Sequence, residues 1–270
     1  FRGATHTGSG DSPAAFFFAQ NGRLKPPATE IMTTSAPKSP ETLSVVVLAA
    51  GQGKRMKSAL PKVLQPIAGK PMLVHVLETA QALKPETICV VYGHGGETVR
   101  AAIPDEQLRW AIQEPQLGTG HAVLQALPEI PADGITLILY GDVPLITPGT
   151  LKFLVEGARR GHLSWLTQRV ANPTGLGRIL RDNQGAVTGI VEEKDASAEQ
   201  KRIQEINTGF LACPTHHLAR WLPKLGNRNA QGEYYLTDIL AMAVAEGISV
   251  ETSSTPNEWE VAGVNDKVQL

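Results

Sequence analysis

The stretch SVVVLAAG, residues 44–51, is a continuous run of apolar and small residues that ends in glycine. Such a run is typical of a central parallel strand, because a strand that is covered on both faces has no polar side. From Leu43 onward, β-branched runs of this kind alternate with segments of helical period. The alternation predicts an α/β fold: a doubly wound, mostly parallel, Rossmann-like sheet with helices on both faces.

The same pattern assigns further elements along the chain. The predicted strands are residues 44–50, 88–92, 110–112, 136–140 and 207–213. The predicted helices are residues 71–83, 96–103, 118–127, 214–225 and 234–246. Residues 178–180 and 187–191 flank the turn signal Asp182-Asn183-Gln184-Gly185 and are predicted to form a small β-hairpin lobe.

The composition excludes several classes of function. The 270 residues are 42% hydrophobic, which suffices to bury the core of one large domain or two small ones. A formal net charge of -1 gives no overall attraction to nucleic acid or acidic membranes. The two cysteines, Cys89 and Cys213, lie in apolar runs without metal-ligand or redox spacing. We therefore expect buried free thiols, a cytoplasmic protein, and neither nucleic-acid nor membrane partners.

The first residues of the sequence carry no fold signal. Residues 1–31 show no hydrophobic period, whereas Met32 is followed by a Thr/Ser/Pro segment and then by the first strand. We expect residues 1–31 to be an added leader, residues 32–43 a flexible N-terminal segment, and residues 44–270 the folded domain.

Three polar or glycine-rich segments follow predicted strands. They are residues 51–55, the pair Gly141-Asp142, and the loop that precedes Gly118. Ligand sites of open α/β sheets lie beyond the carboxyl ends of the strands. The three segments are therefore predicted to converge on one crevice.

The first of these segments, LAAGQGKRM at residues 48–56, suits a polyphosphate. Small residues at a strand end let the backbone approach a triphosphate, and backbone N–H groups donate to phosphate oxygens. Arg55 and Lys62 add positive charge where pyrophosphate would leave. A dinucleotide fingerprint would need a small residue at Met56, and a P-loop would need Ser or Thr at Arg55. An ordinary strand-to-helix turn with solvated basic residues remains the alternative.

The other two segments suit a metal ion and a base. Asp142 follows a predicted buried strand, where a carboxylate can hold Mg²⁺ together with substrate phosphates, unless it merely caps the next turn. Gly141 would leave room for a sugar or phosphate to pass. Gln113 offers a donor and an acceptor, which suits a pyrimidine edge. Residues 118–120 can bring backbone groups against the base, and His121 receives no role.

Two of these segments belong to a longer series of motifs. The series is VYGHGG (91–96), QLGTGH (116–121), LYGDVPL (139–145), QEINTG (204–209) and AQGEYYLTD (230–238). The three segments together resemble those of the nucleotidyltransferases that act on sugar 1-phosphates, and with this series of motifs in the family's order the resemblance runs from about Val45 to Leu270. The chain resembles still more closely the uridyltransferase half of the bacterial bifunctional N-acetylglucosamine-1-phosphate uridyltransferase/glucosamine-1-phosphate acetyltransferases.

The resemblance implies a set of site residues. The candidate catalytic residues are Arg55 and Lys62, which would hold the phosphates. The nucleotide-binding residues would be Leu48, Ala49, Ala50, Gly51, Lys62, Gln113, Gly118 and Thr119. The sugar-binding residues would be Tyr140, Gly141, Asp142, Gly177, Glu192 and Asn207. Asp142 and Asn265 would coordinate Mg²⁺.

The resemblance also implies an activity: UMP passes from UTP to N-acetylglucosamine 1-phosphate, and the product supplies cell-envelope polymers. Longer members continue into a left-handed β-helix that carries acetyltransferase activity and builds a homotrimer. This chain stops before any hexapeptide repeat, so we expect it to lack that second activity.

Two other functions remain open. A related enzyme for another sugar or base would share the Gly51 and Asp142 regions but not the motifs at 204–209 and 231–238. A non-catalytic nucleotide-sugar binding module would lack the metal and phosphate residues.

Overall fold

The computed structural model describes residues 42–51, 53–93 and 95–270. The expected leader and all but the end of the expected flexible segment lie outside these ranges. The strands are β1 (Leu43–Leu48), β2 (Pro66–Ile67), β3 (Lys70–Pro71), β4 (Thr87–Gly93), β5 (Leu108–Gln113), β6 (Ile135–Tyr140), β7 (Leu163–Arg169), β8 (Arg178–Arg181), β9 (Val187–Val191), β10 (Glu205–Pro214) and β11 (Val250–Ser254). The helices are α1 (Met72–Gln81), α2 (Glu97–Ala102), α3 (Thr119–Ala126), α4 (Pro148–Arg159), α5 (Thr215–Trp221) and α6 (Asp238–Ala245).

The main sheet is mostly parallel, with the strand order β5-β4-β1-β6-β10-β7-β11. Strand β1 pairs in parallel with β4 on one side and with β6 on the other. Strand β10 runs antiparallel to both of its neighbours, β6 and β7. The predicted doubly wound α/β fold is therefore confirmed, with one reversed strand that alternation alone does not reveal.

Strand β1 has helices on both faces, as its apolar run predicts. Val45 and Val47 pack with residues of α1, α2 and α4, whereas Val46 and Leu48 pack with residues of α3, α5 and α6. Successive side chains of a strand point to opposite faces, so a strand between two helical layers must be apolar at every position. Full burial of one such side chain stabilises the fold by roughly 1.5–3 kcal/mol.

The topology fixes where a ligand can bind. From β1 the chain passes to β4 and β5 on one side, and then returns to β6 on the other side of β1. This reversal is a topological switch point, where the loops at the carboxyl ends of neighbouring strands separate and leave a crevice. The loops that follow β1 and β6 lie at this edge.

The predicted hairpin is present as β8 and β9, and β8 pairs with β10. Its turn is stabilised by the Asp182 carboxylate, which accepts hydrogen bonds from the N–H groups of Gln184 and Ala186, both at 2.9 Å. The guanidinium of Arg178 is buried and pairs with Glu193 at 2.7 Å. This ion pair fixes the base of the lobe to the segment that follows β9.

The structure contains elements that the sequence pattern did not predict. They are helix α4, the two-residue strands β2 and β3, and strands β7 and β11. The predicted helix over 234–246 begins only at Asp238, because the backbone of Tyr234 and Leu236 bonds instead to Leu117 and to the first residues of α3.

The two thiols behave as predicted. Cys89 and Cys213 are free and buried, and burial raises the pKa of Cys89 to about 12. In the described part of the chain, no helix is long and apolar enough to cross a membrane.

Candidate active site

Hydrogen bonds bring the three predicted segments together at the carboxyl edge of the sheet. The Gly141 N–H donates to the Leu48 carbonyl at 2.9 Å. The Gln116 side-chain nitrogen donates to the Ala50 carbonyl. The Lys62 ammonium pairs with the Asp142 carboxylate. The loops after β1, β5 and β6 therefore border one crevice, as predicted.

The phosphate end of this crevice is a cation–oxygen cluster of Arg55, Lys62, Asp142 and Asn265. Lys62 Nζ donates to Asn265 Oδ1 at 2.8 Å, and Arg55 donates to the same oxygen at 3.1 Å. Asn265 reaches the cluster because the Val264 N–H donates to the Asp142 carbonyl at 2.9 Å. All four side chains that the resemblance assigned to phosphate and metal thus lie in one place.

Gly53 is required for the position of Lys62. Its φ of +58° is a left-handed conformation that side chains disfavour. A Cβ at Gly53 would also lie 2.5 Å from the Lys62 Cβ. Any side chain here would therefore displace Lys62 from Asp142 and Asn265.

Asp142 and Asn265 fit a hard divalent cation as a partial site. Both offer oxygen donors, and the described residues contain no group of three or more His, Cys, Asp or Glu placed to hold a metal. Mg²⁺ is commonly bound by one or two carboxylates and completes its shell with waters and substrate phosphates. Two protein oxygens beside Lys62 and Arg55 therefore suit a cation that binds together with a polyphosphate.

The strand end contributes fewer phosphate donors than the sequence predicts. Leu48 and Ala49 are buried, and the Ala49 N–H donates to the Val91 carbonyl at 2.8 Å. A phosphate bond from this N–H would break a sheet bond and leave a buried carbonyl unpaired. The Ala49 N–H therefore serves the sheet rather than a phosphate, and a nucleotide-binding role for the Ala49 backbone stays a prediction. Gly51, which is exposed, and Ala50, which is half-buried, remain available.

The base end of the crevice is a pre-formed hydrogen-bonded loop. Gln113 is buried, and its side-chain nitrogen donates to the Gly118 carbonyl at 2.8 Å. The Thr119 hydroxyl accepts from the Leu236 N–H at 3.0 Å. A Cβ at Gly118, whose φ is +110°, would lie 2.7 Å from the Tyr234 carbonyl. These residues therefore approach each other as predicted, with Gln113 oriented by the protein itself.

The motif at 230–238 holds this base loop in place. The Tyr234 N–H donates to the Leu117 carbonyl, and the Gly120 N–H donates to the Tyr234 carbonyl, both at 2.8 Å. This role was missed because the period of residues 234–246 predicts a helix. The motif reaches the sugar lobe as well, since the Thr237 hydroxyl donates to Glu192 at 3.1 Å.

The sugar end is built around Asn207. Its side-chain oxygen accepts from the Trp165 indole N–H and from the Gly209 N–H, both at 2.7 Å. Both partners can only donate, so the oxygen end of the amide must face them. The nitrogen end is left for a ligand. The Asn207 side chain is therefore placed to donate to a ligand rather than to accept from it.

Gly177 and Glu192 lie beside Asn207. The Asn207 N–H donates to the Gly177 carbonyl at 2.9 Å. A Cβ at Gly177 would come within 3.1 Å of the Glu192 carboxylate. Burial raises the pKa of Glu192, and the nearby carboxylates of Asp238 and Asp195 raise it further, against a lowering by the hydrogen bond from Thr237. The absence of a side chain at Gly177 therefore leaves space for the Glu192 carboxylate.

Tyr140 and Gly141 join the sugar and phosphate ends. Burial, with the charges of Glu192 and Asp142, raises the pKa of the Tyr140 phenol. A Cβ at Gly141 would lie 3.3 Å from side-chain atoms of Ala49, Val63 and Leu73. The prediction that Gly141 leaves room for a ligand is therefore wrong, because the missing side chain faces the core.

Comparison with known proteins assigns this site to a class. The model of the MobA-like NTP transferase domain matches residues 45–201, and the chain belongs to this family. A solved structure of a putative glucose-1-phosphate thymidylyltransferase from Bacillus anthracis, in complex with a sucrose, has a TM-score of 0.66. It is 18% identical and covers 84% of this chain and 92% of that one, which shows a shared fold.

Curated relatives make the likeness more specific, and the predicted resemblance is confirmed. The chain is 62% identical over 229 residues to the Bifunctional protein GlmU of Nitrosospira multiformis. It is also 62% identical over 228 residues to the protein of the same name from Dechloromonas aromatica. Each match covers 84% of this chain and 50% of the relative, so the chain spans about half the length of the curated relatives it matches.

Proposed function

We propose that the chain transfers UMP from UTP to N-acetylglucosamine 1-phosphate and requires Mg²⁺. The products would be UDP-N-acetylglucosamine, a precursor of cell-envelope polymers, and pyrophosphate. The observation that carries the proposal is the cation–oxygen cluster, in which Lys62 joins Asp142 and Asn265 at the switch point of the sheet. The identity to half of a bifunctional bacterial protein supports the choice of this reaction within the family.

The reaction needs no side-chain base. A phosphate monoester has a second pKa of about 6, so the sugar phosphate is largely dianionic near neutral pH. Its oxygen attacks the α-phosphorus of UTP, the bond from that phosphorus to the bridging oxygen breaks, and pyrophosphate leaves with the bond electrons. Catalysis then consists of alignment and of neutralising charge.

The residues of the site divide these tasks. Lys62 and Arg55 stabilise the departing pyrophosphate through charge-assisted hydrogen bonds. Asp142 and Asn265 would hold Mg²⁺, and the ion would supply Lewis-acid polarisation of phosphate oxygens when bound. The exposed turn at Ala50 and Gly51 and the loop at Gln113, Gly118 and Thr119 would bind the nucleotide. Tyr140, Gly141, Gly177, Glu192 and Asn207 would surround the amino sugar.

A pyrophosphate-release assay over a matrix of nucleoside triphosphates and sugar 1-phosphates tests the proposal. We expect UTP with N-acetylglucosamine 1-phosphate to give the highest kcat/KM. A buried polar group left unpaired costs about 1–3 kcal/mol, so glucosamine 1-phosphate and glucose 1-phosphate should be roughly 5- to 160-fold poorer. Equal use of the three sugars, or a preference for another pair, would contradict the proposal. Pyrophosphate release in a buffer that contains a chelator and no added Mg²⁺ would contradict the metal requirement.

A further inference from the structure

His121 is a buried side chain that the proposed chemistry does not use. It lies near the start of α3, between two amide side chains. Gln113 Nε2 is 3.3 Å from His121 Nδ1, and Gln125 Nε2 is 3.2 Å from His121 Nε2. Burial lowers the pKa of the imidazole, which favours the neutral ring.

The Gly118 carbonyl determines which end of the Gln113 amide faces inward. It accepts from Gln113 Nε2 at 2.8 Å. A carbonyl oxygen only accepts, so the opposite orientation would set two acceptors against each other. The nitrogen end of Gln113 therefore points inward, and its second proton points to His121 Nδ1.

This arrangement determines the tautomer of His121. A neutral imidazole accepts at one nitrogen and donates at the other. Because Nδ1 accepts from Gln113, the ring proton must be on Nε2. The Nε2–H group of His121 then donates to the half-buried side chain of Gln125. For this bond the Gln125 amide is flipped by 180°, so that its oxygen rather than its nitrogen faces the ring. The other tautomer would place two N–H groups in opposition between His121 and Gln113.

We propose that His121 is a positioning residue for base selection, because together with the Gly118 carbonyl it holds the nitrogen end of Gln113 inward and leaves the amide oxygen for the base. The proposal rests on the proposed function, in which Gln113 reads a pyrimidine edge. An amide oxygen accepts from the N3–H of uracil or thymine, whereas N3 of cytosine carries no proton and is itself an acceptor. The arrangement therefore selects against cytidine nucleotides.

Two substitutions separate this role from simple packing. His121→Leu removes both ring nitrogens, whereas His121→Asn keeps an acceptor close to the position of Nδ1. The measurement is kcat/KM for UTP and for CTP, with N-acetylglucosamine 1-phosphate as acceptor. We expect His121→Leu to lower the UTP:CTP preference about tenfold, equivalent to about 1.4 kcal/mol, and His121→Asn to retain most of it. An equal loss for both nucleotides in His121→Leu would overturn the proposal.

A second measurement on the unmodified chain does not depend on turnover. Nitrogen-15 NMR of the histidine rings distinguishes the two tautomers, and the spectrum of His121→Asn identifies the His121 signals among those of the seven histidines. We expect the Nε2–H form, and the Nδ1–H form or an imidazolium at neutral pH would overturn the proposal. Calorimetric binding of UTP and CTP without sugar phosphate gives the nucleotide preference directly. Absence of turnover with every substrate pair would contradict the proposed function alone.

Discussion

The phosphate end and the base-and-sugar end of the crevice are built in different ways. At the phosphate end, Lys62 and Arg55 converge on oxygens of Asp142 and Asn265, and the Arg55 side chain is exposed. At the other end, the amides of Gln113 and Asn207 are already engaged on one side by protein partners that accept only or donate only.

This difference in construction suggests that the phosphate end serves catalysis, whereas the base-and-sugar end selects the substrates. The exposed Arg55 side chain can rearrange when a polyphosphate and a cation bind, and an exposed charge of this kind stabilises the fold little. An amide locked on one side presents a fixed donor or acceptor, and its loss leaves buried partners unpaired. We therefore expect substitutions at the phosphate end to lower turnover without loss of stability. Substitutions at the other end should change selectivity and stability together.

The largest effect is expected for Asp142→Asn. The amide keeps the shape of the side chain but removes the negative charge from the proposed metal site, where charge stabilisation of the transition state is worth several kcal/mol. We expect kcat to fall by about a thousandfold or more, since each 1.36 kcal/mol corresponds to a factor of ten. The melting temperature should change much less than kcat, because the amide oxygen can still accept from Lys62 and Lys62 keeps its hydrogen bond to Asn265 Oδ1.

The matched control is Asp133→Asn, at an exposed carboxylate before the amino end of β6. It makes the same chemical change at the opposite edge of the sheet and should leave both kcat and the melting temperature unchanged. Near-normal kcat of Asp142→Asn at saturating Mg²⁺ would remove Asp142 from the metal site. A large fall in its melting temperature would contradict the separation of the two ends.

The second-largest effect is expected for substitutions of Asn207, at the base-and-sugar end. Asn207→Asp keeps an oxygen for the Trp165 and Gly209 N–H groups but loses the NH₂ group that would donate to the sugar. Asn207→Ala loses both, so it should be less stable by about 1–3 kcal/mol. Both variants should lower kcat/KM for N-acetylglucosamine 1-phosphate and narrow its advantage over glucosamine 1-phosphate. Thermal unfolding and kinetics with both sugars measure the two effects.

The two variants at Asn207 can also contradict the proposed difference between the two ends of the crevice. If Asn207→Asp retains the full preference for the acetylated sugar, donation from this amide is not part of selection. If Asn207→Ala is as stable as the unmodified chain, the two hydrogen bonds at 2.7 Å are replaced by water and the site is less pre-formed than its geometry indicates.

The fold could be predicted where local pattern decides structure. The apolar run at 44–51 identifies a strand between two helical layers, and Asp182 to Gly185 identify a hairpin turn, because both signals depend on neighbouring residues alone. The direction of β10 depends on its partners β6 and β7, which its own residues do not specify. Strand β11, VETSS, has a single apolar residue and gains its structure from pairing with β7 at the edge of the sheet.

The residues of the candidate site also fall into those that local sequence identifies and those that only tertiary contacts bring to the site. Residues 48–56 and Asp142 could be identified from their positions after strands. Asn265 could be identified only by resemblance, since the bond from Val264 to the Asp142 carbonyl is a tertiary contact. Tertiary pairing also explains why Tyr234 and Leu236 leave the helix that their period predicts: their backbone N–H groups bond to Leu117 and Thr119.

The smallest effect is expected for substitutions of two neighbouring carboxylates of the sugar lobe, Glu192 and Glu193. Their effects on the melting temperature test whether a sugar-binding residue of the base-and-sugar end lowers the stability of the fold. Burial raises the pKa of Glu192, whereas the hydrogen bond from Arg178 lowers the pKa of Glu193. A raised pKa in the folded state means that ionisation of Glu192 destabilises the fold as pH rises. A lowered pKa means that ionised Glu193 stabilises the fold, and that this stabilisation is lost as pH falls.

At neutral pH, Glu192→Gln should therefore raise the melting temperature slightly, and Glu193→Gln should lower it. Both differences should shrink toward pH 4, near the pKa of an unperturbed glutamate, about 4.3. Glu192→Gln should also raise KM for the sugar phosphate, because an ionised carboxylate accepts from sugar hydroxyls better than an amide does. Melting curves between pH 4 and pH 8 test the signs. If both variants shift stability in the same direction, Glu192 is held for the fold rather than for the sugar, and the proposed division between the two ends fails at this position.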